Sequence, residues 1–272
     1  MLMEGIKIYL GGVSSFNDRI YISNGTRLIT DAEYHPKAIV PGEPWRAISD
    51  DEITKVVSDE CTNLKYQDSI SLIEIPEQII SLLKDLNLAD VDSYDTLNKL
   101  KISNAEKYFE AMFSLDEYFE KFLVKDDGFD KLGVHIGKPN LASATVSGSK
   151  YVGLHIDYWD ELSILETEKA TNRVSINLGQ QDRFLLFINL SLKQLYDKIG
   201  VDKKKEFRDY DTTSLTTDFF NSNPDYPVLK LRVRPFEAYI APTENIIHDG
   251  STQGNTLTDI TLTTRGHFNL SL

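Results

Sequence analysis

The spacing of hydrophobic positions changes about half-way along the 272-residue chain. Up to about Val124, apolar residues recur every three or four positions, which is the repeat of an amphipathic helix. The clearest helical segments are DEITKVVSDE, which Ser49 and Asp50 can cap, PEQIISLLKDL, which begins with Pro76, and the long segment NAEKYFEAMFSLDEYFEKFLV. We therefore expect residues 1–130 to form a mainly helical support region.

From about Gly133 onward, short segments rich in β-branched and aromatic residues alternate between apolar and polar positions, as β-strands do. These segments are separated by Gly, Asn and Asp turns, and their sequences are ATVSG, YVGLHIDYW, NRVSINLG, RFLLFINLSL, VLKLRVR, EAYIAP, NIIHDGST and DITLTTRGHF. Such a series predicts an antiparallel sandwich or barrel. Because no internal repeat or Gly/Ser linker divides the chain, we expect one catalytic domain over residues 1–272, with the β core in 131–272.

A long polar segment interrupts the predicted strands between about Lys193 and Pro227. It contains KKKEFRDYD and TTSLTTDFF, and its pattern is partly helical. A connection of this length inside a β domain is usually a lid, a binding loop or a mobile segment. Two interpretations stay open, a substrate lid and a surface addition with its own small helices.

The charge balance limits the partners that the protein can bind. The chain has 29 Lys and Arg against 42 Asp and Glu, a net charge of −13. No basic cluster offsets this charge, so nucleic acid and anionic membranes are unfavourable partners. Cys61 is the single cysteine, no apolar segment approaches the roughly 20 residues of a membrane helix, and the first residues do not resemble a signal peptide. We expect a cytoplasmic protein.

The most informative chemical feature is the sequence Leu154-His155-Ile156-Asp157 within an apolar segment. On a strand, residues two positions apart point to the same side and lie about 6.6 Å apart along the chain. His155 and Asp157 can therefore bind one metal ion together. The alternative is a histidine that is hydrogen-bonded at the surface of a sheet.

More polar residues lie in the strands predicted near the end of the chain. His248 lies in NIIHDGST, and Arg265 lies in the last strand, on the same face as Thr261, Thr263 and His267. His267 is an alternative to His248 as a second metal-binding histidine, although it would crowd the arginine.

This order of His-x-Asp, His and Arg in predicted strands resembles the iron(II)- and 2-oxoglutarate-dependent oxygenase superfamily. The resemblance covers roughly residues 133–268, about half of the chain. It implies a mainly β protein with a double-stranded β-helix core, a jelly roll of the cupin kind, supported by the helical first half. In this family two histidines and one carboxylate bind iron on one side, and the remaining positions are open to the co-substrate and to dioxygen.

By this resemblance His155, Asp157 and His248 would be the metal ligands and the catalytic residues. Arg265 would bind the far carboxylate of 2-oxoglutarate, and Thr263, on the same face, would share it. The implied cofactors are Fe(II) and the co-substrate 2-oxoglutarate. The implied reaction is dioxygen-dependent hydroxylation of a C–H bond, and we expect an amino-acid, peptide or natural-product substrate.

Two other functions stay open: a cupin-like metalloenzyme that does not use 2-oxoglutarate, and a non-catalytic jelly-roll binding protein. Neighbouring residues also have alternative roles. We expect Asp249 to point away from His248 and to serve in a turn or in support of the site. Arg173 is either a solvated strand residue or a substrate ligand, and Tyr158 and Trp159 lie either at a pocket mouth or, for Trp159, in the core.

Overall fold

The computed structural model describes residues 2–11, 18–60, 65–124, 128–130, 133–199 and 212–270. Within these ranges the strands are β1 (Lys7–Tyr9), β2 (Ile20–Ile22), β3 (Thr26–Leu28), β4 (Ile39–Pro41), β5 (Arg46–Ala47), β6 (Val57–Ser58), β7 (Ser69–Glu74), β8 (Gly133–Gly137), β9 (Val146–Ser147), β10 (Lys150–Tyr151), β11 (Asn172–Asn177), β12 (Arg183–Ser191), β13 (Leu229–Val233), β14 (Glu237–Ala241), β15 (Ile246–Ser251) and β16 (Asp259–Gly266). The α-helices are α1 (Asp50–Val56), α2 (Glu77–Lys84), α3 (Tyr94–Ser103), α4 (Ala105–Glu120), α5 (Leu192–Lys198) and α6 (Thr212–Ser222).

Two sheets form the core. The first has the order β6-β1-β7-β14-β11-β16-β8 and the second has the order β15-β12-β13-β2-β5. From β11 onward the chain crosses between the sheets repeatedly: β11, β14 and β16 belong to the first sheet, and β12, β13 and β15 to the second. This antiparallel crossing pattern is that of a jelly roll. The expected jelly-roll core is confirmed.

Both faces of each sheet are covered by apolar side chains, which form one layer between the sheets and one layer outside each of them. Between the sheets, Tyr239 of β14 packs in one buried cluster with Phe187 and Leu231. Outside the first sheet, β11 packs in another cluster against α2 and α4, and outside the second sheet, β12 packs against α5 and α6. A strand that is buried on both faces needs apolar residues at successive positions, which explains the unbroken sequence RFLLFINL in β12.

The first half of the chain contains more strands than its pattern predicted. Helices α1, α2 and α4 lie in the three segments that were expected to be helical, although α1 already ends at Val56 and the next two residues form β6. Strands β1 and β7 extend the first sheet and β2 and β5 the second. Strands β1 and β2 have three residues each, too few to show a two-residue alternation.

The predicted insertion at about 193–227 contributes α5 and α6, and its residues 200–211 lie outside the described part of the chain. Leu195 of α5 and Phe219 of α6 are fully buried against the second sheet. Among the helices of the described residues, none combines the length and the apolar character that crossing a lipid bilayer requires.

Candidate metal centre

His155, Asp157 and His248 come together in the folded chain. Each offers one ligand atom, and these atoms all lie within 4.8 Å of one another. His155 Nε2 is 3.6 Å from Asp157 Oδ1, and His248 Nε2 is 3.7 Å from Asp157 Oδ2. One metal ion in the middle of such a group can be bound by two nitrogens and one oxygen.

The backbone that carries the first two residues is less regular than the predicted strand. It joins β15 through a single antiparallel bridge, in which His155 N donates to His248 O at 3.0 Å and His248 N donates to His155 O at 2.7 Å. The two imidazole rings are therefore neighbours, with centroids 4.7 Å apart. Asp157 N donates to Thr243 O at 3.1 Å, which places the carboxylate on the same side as the rings.

A glycine makes this irregular segment possible. Gly153 has a φ of +79°, which favours glycine, and a Cβ atom at this position would lie 2.6 Å from Ile39 O. The next residue, Leu154, donates its N–H to the same Ile39 oxygen at 2.8 Å. The segment thus lies tightly against β4 just before His155.

Hydrogen bonds orient both imidazoles. His155 Nδ1 lies 2.9 Å from Gly153 O, and His248 Nδ1 lies 3.4 Å from Ile246 O. A proton on each Nδ1 leaves each Nε2 lone pair directed at the cluster. Within the described residues, the buried His248 Nε2 has no hydrogen-bond partner. Because buried polar atoms rarely lack a partner, the donor set fits a bound metal ion.

The ionisation states of Asp157 and His248 are those of metal ligands. Burial opposes ionisation of Asp157, but Arg173 and the two histidines hold its pKa well below the usual range, so it is a carboxylate. Burial lowers the pKa of His248 to about 3, so this imidazole is neutral, the form that binds metals. Burial also disfavours protonated His155, yet the carboxylate of Asp157, 3.6 Å away, raises the pKa of this histidine.

Arg173, for which the sequence left a solvated strand position and a substrate-binding role open, contacts the carboxylate of the ligand candidate Asp157. Its Nη2 lies 2.8 Å from Asp157 Oδ2, and its side chain is only 20% exposed. The strand residues Arg173, Ser175 and Asn177 share one face, while Val174 and Ile176 pack on the opposite face with the helices. The alternation in this strand already indicated this position, because the apolar face packs on the helices and the polar face must therefore point between the sheets.

Arg265 and Thr263 lie on β16, the strand that pairs with β11. In the register, Arg265 is directly opposite Arg173 and Thr263 is opposite Ser175. Arg265 Nη2 lies 2.7 Å from Asp160 Oδ1 and 2.5 Å from Glu244 Oε1.

The remaining contacts of these two residues are also polar. Arg265 Nη2 donates to Thr171 Oγ1 at 2.7 Å, so one guanidinium nitrogen faces three oxygen atoms. Thr263 Oγ1 lies 3.0 Å from His135 Nε2. The role of Arg265 and Thr263 in binding a co-substrate stays a prediction.

Two paired arginines therefore hold the short segment that begins with the metal-ligand candidate Asp157. Arg173 contacts Asp157, and Arg265 contacts Asp160 three residues later. Glu244 Oε1 accepts hydrogen bonds from the backbone N–H groups of Trp159 and Asp160, at 3.2 and 3.1 Å. This ionic cluster fixes the backbone next to the carboxylate ligand.

The other candidate residues lie away from the three ligands or support them. His267 Nε2 lies 3.0 Å from Lys169 O, and the residue does not join the group of possible ligands. Asp249 is buried and, as expected, points away from His248 and binds residues other than the three ligand candidates. It accepts hydrogen bonds from Ser143 Oγ and, at 3.1 Å, from Thr145 N. It thereby ties the 143–145 segment to β15.

The ligand group opens into a cavity of about 810 Å³ whose wall includes His155 and Asp157. Tyr158 and Trp159 line it and are 55% and 65% exposed, so they lie at its mouth and not in the core. Helix α6 contributes Thr213, Thr216 and Thr217. The inserted segment therefore forms one wall of the cavity, and the volume lies in the range of small-molecule sites.

No protein-family model matches the chain, and no curated protein matches it significantly. Two solved structures are similar to it. One is the Kdo hydroxylase KdoO, a non-heme Fe(II) alpha-ketoglutarate-dependent dioxygenase in complex with cobalt(II), with 11% identity, a TM-score of 0.38 and coverage of 74% of this chain and 80% of that chain. The other is the iron and alpha-ketoglutarate-dependent endoperoxidase NvfI, with 11% identity, a TM-score of 0.33 and coverage of 93% and 97%. At these TM-scores, the fold assignment rests on the strand order of the chain itself.

Proposed function

We propose that this chain is a non-heme iron(II)- and 2-oxoglutarate-dependent dioxygenase that hydroxylates a C–H bond of an amino-acid, peptide or natural-product substrate. One observation carries the proposal. Two imidazoles and one carboxylate, from His155, His248 and Asp157, converge within 4.8 Å inside a jelly-roll core, and His155 and Asp157 line a cavity. A two-histidine, one-carboxylate set is the ligand group of ferrous oxygenases, whereas thiolates would favour zinc or clusters.

The residues of the chain would divide the work as follows. His155, Asp157 and His248 hold the metal, and the Nδ1 hydrogen bonds of both histidines keep their Nε2 atoms directed at it. Bound Fe(II) with 2-oxoglutarate supplies the oxidising chemistry, in which dioxygen, keto acid and substrate become succinate, CO₂ and the hydroxylated product. Arg173 keeps Asp157 ionised, and the cavity walls hold the substrate next to the ligands.

Arg265 and Thr263 remain the predicted binding residues for the far carboxylate of 2-oxoglutarate. To serve this role, Arg265 must share its guanidinium with Asp160 and Glu244, which already lie 2.7 and 2.5 Å from it. Both carboxylates repel an incoming dianion. Arg173, opposite Arg265 in the strand register, is a second arginine near the ligand group, where it pairs with Asp157.

The paired state of Arg265 is also the observation that favours a second candidate, a cupin-like metalloenzyme that does not use 2-oxoglutarate. In that case the three ligands bind a metal, and Arg265 serves only to hold the 157–160 segment. The two candidate enzymes share the metal centre and differ in whether they bind 2-oxoglutarate. A direct measurement of keto-acid binding separates them.

The test is turnover of the co-substrate itself. Purified protein is reconstituted with Fe(II) without oxygen, titrated with 2-oxoglutarate by calorimetry, and then exposed to air with a panel of amino acids, peptides and natural products. We expect binding that requires the metal, and succinate release that rises with a substrate of the panel. Asp157→Ala is the inactive variant, and His267→Ala, which changes a histidine outside the cluster, is the matched control.

Three outcomes would decide against the proposal in its present form. Metal binding without any affinity for 2-oxoglutarate would favour the cupin-like candidate. Equal succinate release by Asp157→Ala and by the unchanged protein would exclude the assigned ligands. Failure of the protein to bind any divalent metal would favour a jelly-roll binding protein.

A further inference from the structure

The cavity next to the metal ligands has an unusual distribution of charge. The whole chain carries 42 acidic residues against 29 Lys and Arg, yet among the described residues the only carboxylate in the cavity wall is that of the ligand candidate Asp157. The wall contains three basic side chains, those of His35, Lys37 and His155. The described part of the cavity wall is therefore much less acidic than the chain as a whole.

Lys37 is the side chain that can recognise a ligand here. It is exposed in the turn between β3 and β4 and lines the cavity. Among the described residues no acidic side chain pairs with its ammonium group, whereas the nearby lysine Lys138 pairs with Glu33 at 2.7 Å. Lys37 thus presents an unneutralised positive charge to whatever enters.

Most of the rest of the wall is apolar. Ile39, Val146, Val152, Leu154 and Ile156 line the cavity together with the lysine, and the exposed rings of Tyr158 and Trp159 lie at its mouth. Aromatic and aliphatic walls bind the body of a ligand by excluding water from it. Polar contacts come from the threonines of α6, which add hydrogen-bonding capacity without charge.

From this lining we infer that the cavity binds an amphipathic small molecule whose apolar body lies against the aliphatic and aromatic wall and whose single anionic group pairs with Lys37. The inference names the substrate class for the proposed function and rests on it for the chemistry. The binding itself needs no metal. A cationic substrate does not fit this lining, since the ammonium group of Lys37 repels it.

The experiment uses two fluorescent probes with the same ring system and the metal-free protein. Anilinonaphthalenesulfonate carries one negative charge, and phenylnaphthylamine is its uncharged counterpart. We expect the anionic probe to bind more tightly, and Lys37→Ala to weaken it about fivefold, the upper end for a partly exposed charge pair, while the neutral probe is unchanged. Lys37→Arg should restore the affinity. Lys99→Ala, which removes an exposed lysine outside the cavity wall, is the charge-matched control.

A second variant shows where the probe binds. Val146→Trp adds a bulky side chain to the cavity wall and should weaken both probes. Probe binding that survives this change contradicts the inference, because the anionic probe then prefers another surface. Equal weakening of both probes by Lys37→Ala also overturns it. Because no metal is present, a loss of the charge preference refutes the substrate class alone, and a protein that keeps this preference but binds no metal refutes the proposed function alone.

Discussion

Replacing Arg265 by methionine separates its two possible roles, a structural cation and a binding residue for 2-oxoglutarate. The substitution keeps most of the side-chain length and removes the charge that lies between Asp160 and Glu244. The Glu244 side chain is 4% exposed and the Arg265 side chain 18%. Without the guanidinium, two carboxylates face each other in a largely dry environment.

The expected loss of stability follows from this burial. Breaking a buried ion pair by removing one partner costs about 3–5 kcal/mol, because the other charge stays buried without compensation. Since water reaches Arg265 and Asp160 in part, we expect the lower end, about 3 kcal/mol. Arg265→Met combined with Glu244→Gln should recover most of this loss. The glutamine retains an acceptor for the N–H groups of Trp159 and Asp160 and carries no charge.

The loss should also depend on pH with a definite sign. Burial raises the pKa of Glu244 even with Arg265 present, and removal of the cation raises it further. A carboxyl group whose folded pKa lies above its unfolded pKa destabilises the fold at high pH, and this penalty disappears as the pH falls and the group is protonated. The deficit of Arg265→Met should therefore be larger at about pH 8 than at about pH 5.

Urea denaturation followed by circular dichroism measures the loss of stability and its pH dependence. Calorimetry with 2-oxoglutarate tests whether Arg265 binds the co-substrate. Arg46→Met is the matched control, because the Arg46–Glu52 pair is bidentate but its arginine side chain is 55% exposed. We expect a loss below about 1 kcal/mol there. If Arg265→Met also costs less than about 1 kcal/mol and abolishes 2-oxoglutarate binding, the structural reasoning is wrong and Arg265 acts as a co-substrate ligand.

Three further predictions concern other buried polar groups. Arg19→Met should cost about 3–5 kcal/mol in urea denaturation, because Arg19 is fully buried in a bidentate pair with Glu237, and changing both to apolar residues should recover most of the loss. Burial among aromatic rings lowers the pKa of Lys230 to about 8, so stability should rise between about pH 8 and about pH 10, and Lys230→Met should flatten that rise. Asp249→Ala should speed hydrogen exchange at Thr145 N–H without loss of metal binding, and slow exchange there would contradict the role of this aspartate.

The parts of the fold that the sequence predicted are those buried on one face or long enough to show a period. The 16-residue helix α4 and the alternating strand β16 are examples. Strands β1 and β2 were not predicted, because three residues are too few to show a two-residue period. Strand β12 was predicted from its β-branched and aromatic content, although burial on both faces had removed its alternation.

The candidate site shows the same division between local and distant information. His155 and Asp157 could be paired from their spacing, whereas His248 was added through the resemblance to the oxygenase superfamily. The carboxylates that hold Arg265 could not be foreseen, because Glu244 precedes β15 while Asp160 follows the His-x-Asp segment, and only the folded backbone brings them within 2.7 Å of one guanidinium nitrogen. Long-range ion pairs of this kind leave no pattern in a single sequence.

Metal stoichiometry under anaerobic conditions tests the central claim most directly. The protein is loaded with Fe(II), desalted and measured by elemental analysis, alongside His155→Ala, Asp157→Ala, His248→Ala and the control His267→Ala. We predict one iron per chain in the unchanged protein and in the His267 variant, and a loss of most iron in the other three, because each removes one of three ligand atoms. Full iron content in the His155 and Asp157 variants would contradict the metal centre and the function built on it.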